Sequence, residues 1–402
     1  MKILLVDDNY QFYAGENALL NRERNYLKQQ GHQTYLFSWG KESFQSEGVT
    51  ISREPSSRVA SKMRKFFFPG KLGDEFKQVL DTFKPDVIHL HLVSKFPLAV
   101  YPYLNNYKTV QTLHGPSLFC ATSWGCMKDG SPCPLGIGLK CRLNGCLKFY
   151  QTLPYLYLEK KLRKFLKNIS LFHCPSRNIY GTAFRLGYRN LAYVPLGIGH
   201  VFEQKTINPH RQRKKDILFV GSMAEVKGIK YLYEAFKDVL KIHHDARLLM
   251  VGHGPYCKII SECIERDNLD DKVKVLGTVP PDEIANMCLS SSVMVVPSIW
   301  QEQFGMVGPE ALSMELPVIG SLVGGIPEWL HHNEWGFLVP PRSVSDIAKH
   351  IIYLLNHPEL IEKFGESGRE FVLREYSNLR YLKNLCDLLE NTAENKMYTK
   401  IN

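Results

Sequence analysis

The sequence predicts an α/β protein made of two doubly wound domains, and three observations support this fold class. Strand-like runs alternate with helical ones over nearly all of the 402 residues. Each run is short, rich in branched apolar residues, and ends near Gly, Pro or Ser, as buried parallel strands do. The alternation is interrupted once, by a polar stretch over 198–216, and then restarts. Two domains of ordinary size account for this pattern.

The first domain is predicted over residues 1–198. The segment from Gly15 to Gln30 has helical periodicity, and Gly31 ends it. An insert over 117–147 carries five cysteines. The predicted strands, in chain order, are KILLVDD, HQTYLFS, PDVIHLH, KTVQTLHG, SLFHCPS and LAYVPLG.

The second domain is predicted over 199–375, and a helical segment follows over 376–402. Its strands, in order, are DILFVGS, ARLLMVGHG, KVKVLGTV, SVMVVPS, LPVIGS and GFLVPP. Ligands of open α/β sheets bind beyond the carboxyl ends of the strands. We therefore expect the strand-end loops of both domains to face a central cleft that holds the functional site.

Composition excludes some functions and favours others. Hydrophobic residues make up 44% of the chain and charged residues 22%, which is typical of a globular protein. We find neither a signal peptide nor a run long enough to span a bilayer, and so predict a cytoplasmic protein. The net charge of +10 favours anionic partners. No nucleic-acid motif accompanies that charge, so a nucleic-acid partner is not expected.

Two basic clusters beside aromatic residues predict peripheral binding at the anionic inner face of a membrane. A solvated face with core aromatics is the alternative. The first cluster lies within SRVASKMRKFFFPGK and contains Arg58, Lys62, Arg64, Lys65 and Phe66 to Phe68. The second lies within EKKLRKFLK and contains Lys160, Lys161, Arg163, Lys164 and Lys167.

The five cysteines of the insert have the spacing C-x5-C-x6-C-x7-C-x4-C from Cys120 to Cys146. This spacing lacks the C-x2-C pairs of a zinc ribbon. Without an export signal, structural disulfides are not expected. Buried free thiols or a metal or redox staple remain as alternatives, and no metal or cofactor is predicted for the site itself.

Four strand-end loops of the second half are rich in glycine, which lets backbone approach a ligand closely. They are VGSMAEVKG, VGHGP, PSIWQEQFG and LVGGIPE. Two glutamates flank a Phe-Gly pair in this region, within PSIWQEQFGMVGPEALSMELPVIGSLVGGIPE, and are Glu302 and Glu310. A carboxylate has two oxygens that can accept both hydroxyl protons of a vicinal diol.

Together these stretches resemble the retaining glycosyltransferases of family 4, which have the GT-B fold. The Glu-x7-Glu context around Glu302 and Glu310 is specific, and the resemblance covers almost the whole chain. DVIHLH and VQTLHG resemble the family's first-domain strand pair that ends in histidine. The resemblance implies two Rossmann-like domains, with the final helical segment packing back on the first. It also implies transfer of a sugar from a nucleotide-diphosphate donor to a glycan or lipid-linked acceptor, without a metal.

The resemblance assigns roles residue by residue. Glu302 faces the hydroxyls of the donor sugar, Glu310 accepts from the ribose, and Lys227 neutralises the leaving diphosphate. His114 contacts the sugar from the first domain, whereas His91 is expected to be structural. The catalytic residues are thus His114, Glu302 and Lys227. The remaining donor-binding residues are Gly15, Gly221, Ser222, Gly252, Gly254, Phe304, Gly305, Met306 and Glu310.

Three positions depart from the family pattern. Ser222 stands where an arginine usually follows the first glycine, which leaves less positive charge for the diphosphate. Lys230 and Arg247 are candidates to supply that charge in place of the arginine. Glu315 replaces a glycine, and Ala14 replaces the first of two glycines. Two alternative functions follow: a catalytically inactive binding or assembly protein, favoured by Ser222, and a nucleotide-sugar epimerase or hydrolase of the same fold.

Overall fold

The computed structural model describes residues 1–8, 16–40, 43–53, 70–122, 133, 136–208 and 210–396, with the side chains of 16–18 excepted. These residues form two compact units. One unit comprises the described residues within Met1–Asp129, Cys133–Pro195 and Leu382–Asn402. The other comprises those within Leu196–Tyr381.

The first unit is built on a sheet with the strand order β3-β4-β2-β1-β5-β6-β7-β8. All neighbouring strands pair in parallel except β3 and β4, which are antiparallel. The strands are β1 (Lys2–Asp7), β2 (Gln33–Gly40), β3 (Phe44–Ser46), β4 (Val49–Arg53), β5 (Val87–Leu90), β6 (Thr109–Thr112), β7 (Leu171–Cys174) and β8 (Leu191–Tyr193).

Helices cover the apolar residues of this sheet. Phe76 and Leu80 of the helix Gly70–Phe83 are buried against Phe37 and Leu4 of the strands. The helices of this unit are Glu16–Gln29, Gly70–Phe83, Pro97–Val100, Lys140–Leu143, Phe149–Leu166 and Arg177–Arg185, with short 3-10 turns at Tyr101–Tyr103 and Pro116–Leu118. The helix Asn378–Ala393 begins in the second unit and continues into this one.

The second unit contains a wholly parallel sheet with the order β11-β10-β9-β12-β13-β14. The strand order reverses between β9 and β12, which is where doubly wound folds bind ligands. The strands are β9 (Asp216–Val220), β10 (Arg247–Val251), β11 (Val273–Gly277), β12 (Val293–Val296), β13 (Val318–Ser321) and β14 (Gly336–Val339).

Both faces of the second sheet are covered by apolar clusters. One cluster packs Phe236 and Ile351 against strand residues such as Leu248, and the other packs Leu312 and Trp329 against Met294. The helices are His200–Gln204, Ile229–Leu240, Tyr256–Arg266, Pro281–Ser290, Val307–Ser313, Ile326–Trp329, Val344–Asn356 and Pro358–Glu375, with a 3-10 turn at Glu225–Lys227.

The predicted fold class is confirmed, since each unit is of Rossmann type, with a sheet that is parallel throughout except for β3 and β4. Every strand run proposed from the sequence contains a strand of the structure. The antiparallel pair β3 and β4 was not predicted. Its strands are short and largely polar, so they lack the branched apolar signal on which the prediction depended.

The polar stretch over 198–216 is attached to the second unit. Arg211 Nη2 donates to Glu315 Oε2 at 2.7 Å, and Arg213 Nη2 donates to the Glu315 carbonyl at 2.6 Å. Arg213 Nε also donates to Glu362 Oε1 at 2.8 Å. Glu315, at a position expected to hold glycine, has a φ of +55°, a conformation that glycine adopts without strain.

Among the residues that the structure describes, no helix is both long enough and apolar enough to cross a bilayer.

Candidate active site

The loops that follow β9 and β10 contact each other through their backbones. An added Cβ at Gly252 would lie 1.8 Å from the carbonyl oxygen of Gly221, and one at Gly254 would lie 2.4 Å from that of Met223. Met223 N also donates to the His253 carbonyl at 3.0 Å. The predicted residues Gly221, Gly252 and Gly254 therefore form one continuous wall at the carboxyl edge of the sheet.

Lys227 is positioned by a glycine that no other residue can replace without strain. Gly228 has a φ of +71°, and a Cβ there would lie 1.8 Å from the carbonyl oxygen of Pro297. This contact joins the turn Glu225–Lys227 to the loop after β12. The Ile299 N–H donates to the Val226 carbonyl at 2.9 Å and strengthens the same junction. As a result, the Lys227 side chain extends towards the predicted Glu302.

Glu302 lies at the centre of the site and is only 5% exposed. Its Oε1 accepts hydrogen bonds from Lys227 Nζ and from Ser298 Oγ, both at 2.6 Å. The Lys227 ammonium also lies 5.1 Å from the centroid of the Trp300 ring. Sequence reasoning paired Lys227 with a diphosphate and did not find Ser298 or Trp300. Both lie in the PSIWQE stretch quoted above, where a serine and a tryptophan close to Glu302 could have indicated them.

A second glycine-rich loop, after β13, supports Glu302 from behind. A Cβ at Gly324, whose φ is +54°, would lie 2.0 Å from the Glu302 carbonyl oxygen. Gly325 N donates to the same carbonyl at 2.8 Å, and Gly324 N donates to Gln301 Oε1 at 3.2 Å. The backbone of Glu302 is thereby fixed, so its carboxylate has little freedom to move away from Lys227.

The second glutamate occupies different surroundings. Glu310 lies in the helix Val307–Ser313, and a Cβ on Gly199 would lie 3.1 Å from its Oε1. Between the two glutamates, Phe304 is buried and accepts a hydrogen bond through its carbonyl from Trp329 Nε1 at 2.5 Å. Gly305 has a φ of +81° and turns the chain into the helix. Sequence reasoning did not identify Gly199.

Of the two proposed substitutes for the missing arginine, one is excluded. Arg247 starts β10, at the edge opposite the glycine loops, and binds Asp216 through two hydrogen bonds of 2.7 Å. Lys230 lies exposed in the helix Ile229–Leu240. Ser222 is exposed in the loop after β9. At the wall formed by these glycine loops, the Lys227 ammonium is therefore already bound to Glu302.

His114 lies in the first unit, just after β6. Its Nε2 is 2.9 Å from His91 Nδ1, and the two rings are stacked with centroids 5.1 Å apart. Burial and the neighbouring His91 lower the pKa of His114 well below the usual value, although Glu23 acts in the opposite direction. The ring is therefore neutral at pH 7. His91 is itself buried, which fits the structural role expected for it.

Some predicted residues lie outside the described residues. These are Gly15, the basic and aromatic cluster over 58–68, and Cys126 of the insert. Among the described residues, no disulfide joins the insert cysteines Cys120, Cys133, Cys141 and Cys146. Free thiols were one of the two alternatives, and a metal staple that includes Cys126 stays untested.

Two family models match the chain. Glycosyltransferase Family 4 matches residues 19–200, and Glycosyl transferases group 1 matches residues 201–371. A curated relative, the N-acetyl-alpha-D-glucosaminyl L-malate synthase of Bacillus anthracis, is 32% identical over 165 residues, or 41% of this chain. The aligned part spans 42% of that relative's length.

Two solved structures resemble nearly the whole chain. Sucrose-phosphate synthase from Thermosynechococcus elongatus has a TM-score of 0.76 at 20% identity, covering 98% of this chain and 100% of that one. HepE from Anabaena, in complex with UDP and glucose, has a TM-score of 0.71 at 16% identity, covering 97% and 99%. These likenesses define the class of fold, which is GT-B.

The two family models match different units: the first unit is similar to Glycosyltransferase Family 4, and the second unit is similar to Glycosyl transferases group 1.

Proposed function

We propose that this protein is a retaining glycosyltransferase. It moves a hexose-type sugar from a nucleotide-diphosphate donor to a glycan or lipid-linked acceptor in cell-surface polysaccharide or glycolipid synthesis. The observation that carries the proposal is the Lys227–Glu302–Ser298 cluster, in which Glu302 and Ser298 are buried and Lys227 is partly exposed. Such a cluster offers a fixed carboxylate for sugar hydroxyls and a cation for phosphate within one site.

The donor is bound by groups with separate tasks. Glu302 accepts hydrogen bonds from the sugar hydroxyls, and Glu310 accepts them from the ribose diol. Lys227 already lies 2.6 Å from Glu302, so the arriving diphosphate shares an ammonium that is held in place before binding. Gly221, Gly252 and Gly305 have no side chains, so the nucleotide can approach the backbone of their loops closely. His114, as a neutral imidazole, contacts the sugar near its reacting carbon.

Retention is explained by attack on the same face that the diphosphate leaves. The bond from the anomeric carbon to the phosphate oxygen breaks, and the acceptor oxygen bonds to that carbon. The departing phosphate oxygen takes the proton of the acceptor hydroxyl. Lys227 stabilises the negative charge that develops on the diphosphate, which is where a preorganised cation contributes most.

Turnover of nucleotide sugars, with and without acceptor extracts, tests the proposal. UDP-glucose is the first probe, because the structural relative HepE was solved with UDP and glucose. Lys227→Gln and Glu302→Gln should each reduce turnover by about a hundredfold. Lys241→Gln, which removes an exposed lysine at the far end of the helix Ile229–Leu240, is the matched control and should change turnover less than twofold. Full activity of both site variants would refute the assignment.

An inactive binding or assembly protein is the second candidate. The observation in its favour is the exposed Ser222 in place of an arginine, which leaves Lys227 to serve both Glu302 and the diphosphate. A chain that binds a nucleotide sugar but shows no turnover with any acceptor extract would support it. Donor consumption without acceptor would instead indicate a hydrolase or an epimerase.

The membrane part of the proposal depends on an exposed apolar face in the first unit. In the helix Phe149–Leu166, Phe149 is 81% exposed and Leu153 is 77% exposed, and Tyr157 follows at the same spacing of four residues. The preceding helix adds Leu143, which is 84% exposed. Large apolar side chains this exposed on one stretch mark an interaction surface.

Basic residues adjoin this apolar face and select the partner. The Arg142 guanidinium lies 5.9 Å from the Phe149 ring, and Lys161 Nζ lies 5.5 Å from the Tyr157 ring. Further along the helix, Lys160 and Lys164 are exposed. Apolar side chains with adjoining cations fit an anionic lipid surface, with the apolar groups inserted and the cations among the headgroups.

Vesicle flotation tests this part separately from turnover. Wild-type protein should bind vesicles that contain anionic lipid and bind neutral ones far less. Burying Phe149 and Leu153 contributes about 4 kcal/mol. Their joint replacement by Glu should therefore weaken binding by several hundredfold. Ile242→Glu, at an apolar position 57% exposed in the second unit, is the control. Equal binding of all three proteins would refute the membrane surface.

A further inference from the structure

A carboxylate and two imidazoles are buried together in the first unit. Glu23 lies in the helix Glu16–Gln29, His89 lies in β5, and His91 follows that strand directly. His89 and His91 are two residues apart and point to the same side of the extended chain. The side chains of Glu23 and His89 are fully buried, and that of His91 is 2% exposed.

The ligand-type atoms of these residues converge. Glu23 Oε2 lies 3.0 Å from His91 Nε2 and 3.6 Å from His89 Nδ1. All three atoms lie within 4.8 Å of one another. The separation of 3.6 Å from His89 is too long for a hydrogen bond. Ligand atoms that are bound tetrahedrally to a single zinc ion lie roughly 3.3–3.5 Å apart, which is close to the two separations from Glu23 Oε2.

A chain of hydrogen bonds determines where the protons lie on His89. His173 Nε2 lies 2.7 Å from the Val194 carbonyl, which only accepts, so this nitrogen carries the proton. Burial lowers the pKa of His173 to about 4, and its Nδ1 is therefore an acceptor. Thr112 Oγ1, at 2.9 Å, donates its one hydrogen to that nitrogen.

The chain of hydrogen bonds continues from Thr112 to His89. Thr112 Oγ1 lies 2.7 Å from His89 Nε2 and, with its hydrogen already used, must accept from it. A neutral imidazole carries one proton, which here lies on His89 Nε2. His89 Nδ1 is left with a lone pair directed towards the Glu23 carboxylate. Among the described residues, this buried nitrogen has no hydrogen-bond partner.

The geometry points to a divalent metal ion of the zinc class bound by Glu23 Oε2, His89 Nδ1 and His91 Nε2. Two imidazoles and a carboxylate are a ligand set that zinc and its first-row neighbours take. The ion would accept the lone pair of His89 Nδ1, which lies 3.6 Å from Glu23 Oε2. The two carboxylate oxygens of Glu23 allow three or four bonds from these residues.

The outer hydrogen bonds agree with this site. Ligand histidines normally donate their second N–H to a neighbouring acceptor, which fixes the ring orientation. His89 donates Nε2–H to Thr112, and His91 is placed to donate Nδ1–H to His114 Nε2, 2.9 Å away. The metal would therefore fix the orientation of His91 and, through it, that of His114. It is a structural metal, and it takes no part in the sugar transfer proposed above.

Metal content of the full-length protein tests the inference without donor, acceptor or turnover. The purified chain is incubated with Zn²⁺, passed over a chelating column and analysed for metal. We expect about one zinc per chain in the wild type. His89→Gln and Glu23→Gln should retain at least tenfold less. Cys386→Ala is the control, because His32, Cys386 and Glu390 form the other candidate ligand group among the described residues.

Cobalt gives a readout that does not depend on the folding of any variant. Co²⁺ bound by nitrogen and oxygen alone shows visible d–d bands without a sulfur-to-cobalt charge-transfer band. A site that contains Cys386 or the insert cysteines would show that additional band. The proposal is overturned if the folded wild type retains no zinc. It is equally overturned if the cobalt spectrum shows a thiolate, or if zinc is lost in Cys386→Ala and retained in His89→Gln.

Discussion

The ion pair between Lys227 and Glu302 allows a quantitative prediction through a double-mutant cycle. Glu302→Gln removes the charge but leaves an amide oxygen that can still accept from Ser298. Lys227→Gln removes the cation and leaves Glu302 buried without it. The pair lies within a single unit, so its energy contributes directly to the stability of that unit.

The magnitude follows from the geometry. Unit charges 2.6 Å apart attract each other by about 6 kcal/mol at an effective dielectric constant of about 20. Desolvation of both groups offsets much of this attraction. We expect Lys227→Gln to cost about 3 kcal/mol, because Glu302 is 6% exposed in its side chain and keeps an uncompensated charge. Glu302→Gln should cost about 1 kcal/mol, because Lys227 is 22% exposed and can turn towards water.

The double variant should lose about 2 kcal/mol, which corresponds to a coupling of about 2 kcal/mol between the two groups. For a unit of this size, that coupling equals roughly 4–8 °C in Tm. Thermal unfolding of the full chain at pH 7, without ligand, is followed by tryptophan fluorescence. Three of the five tryptophans, Trp300, Trp329 and Trp335, lie in the second unit and report on it.

Lys230→Gln combined with Glu302→Gln provides the control cycle, because Lys230 is exposed in the same stretch. Its coupling to Glu302 should be below about 0.5 kcal/mol. If the Lys227 cycle also falls below that value, Lys227 and Glu302 do not interact as described. The electrostatic account of the site would then be wrong.

Three further predictions concern other positions. Gly228→Ala should lower stability by more than about 2 kcal/mol in thermal unfolding, because the new Cβ would lie 1.8 Å from the Pro297 carbonyl oxygen. Gly277→Ala is the control: its φ of +69° is similar but no atom lies within 4 Å of the new Cβ, so it should lose only about 1 kcal/mol. Burial raises the pKa of Asp8 to about 6, so the stability that its protonated form provides should fall by about 3 kcal/mol as pH rises from about 4 to above 6. Asp8→Asn should abolish this fall in melting curves, and an unchanged pH profile would contradict the shift. Glu310→Gln should weaken nucleotide-sugar binding about tenfold in calorimetry; unchanged affinity would exclude the ribose role.

Much of the second unit could be predicted from sequence because its signals are local. Each strand is a short apolar run, and the loops after most of these strands contain glycine, which predicted β9 to β14 and their loops. The pairing of Lys227 with Glu302 was not predicted, since the two residues are 75 positions apart. It depends on Gly228 lying against Pro297, and no local pattern reports such a contact.

The first unit shows the same limit more clearly. PDVIHLH was correctly predicted to contain a strand, and His91, which was expected to be structural, is buried. No sequence pattern indicated that Glu23 lies beside both histidines, because a charged residue in a helical period usually lies on the solvated face. The network from Val194 through His173 and Thr112 connects four separate elements, and only their three-dimensional arrangement brings these polar groups together.

Glu315 attaches the polar stretch before β9 to the second unit. The positive φ of this residue is a local cost that glycine would not carry, whereas its carboxylate and carbonyl hold Arg211 and Arg213. The stretch over 198–216, whose composition is that of a linker, is therefore part of the second unit. A protease should cut this stretch slowly, despite its many lysines and arginines. A shortened chain that starts at β9 would lose both arginines, so an independently folding second unit should begin at about Leu196.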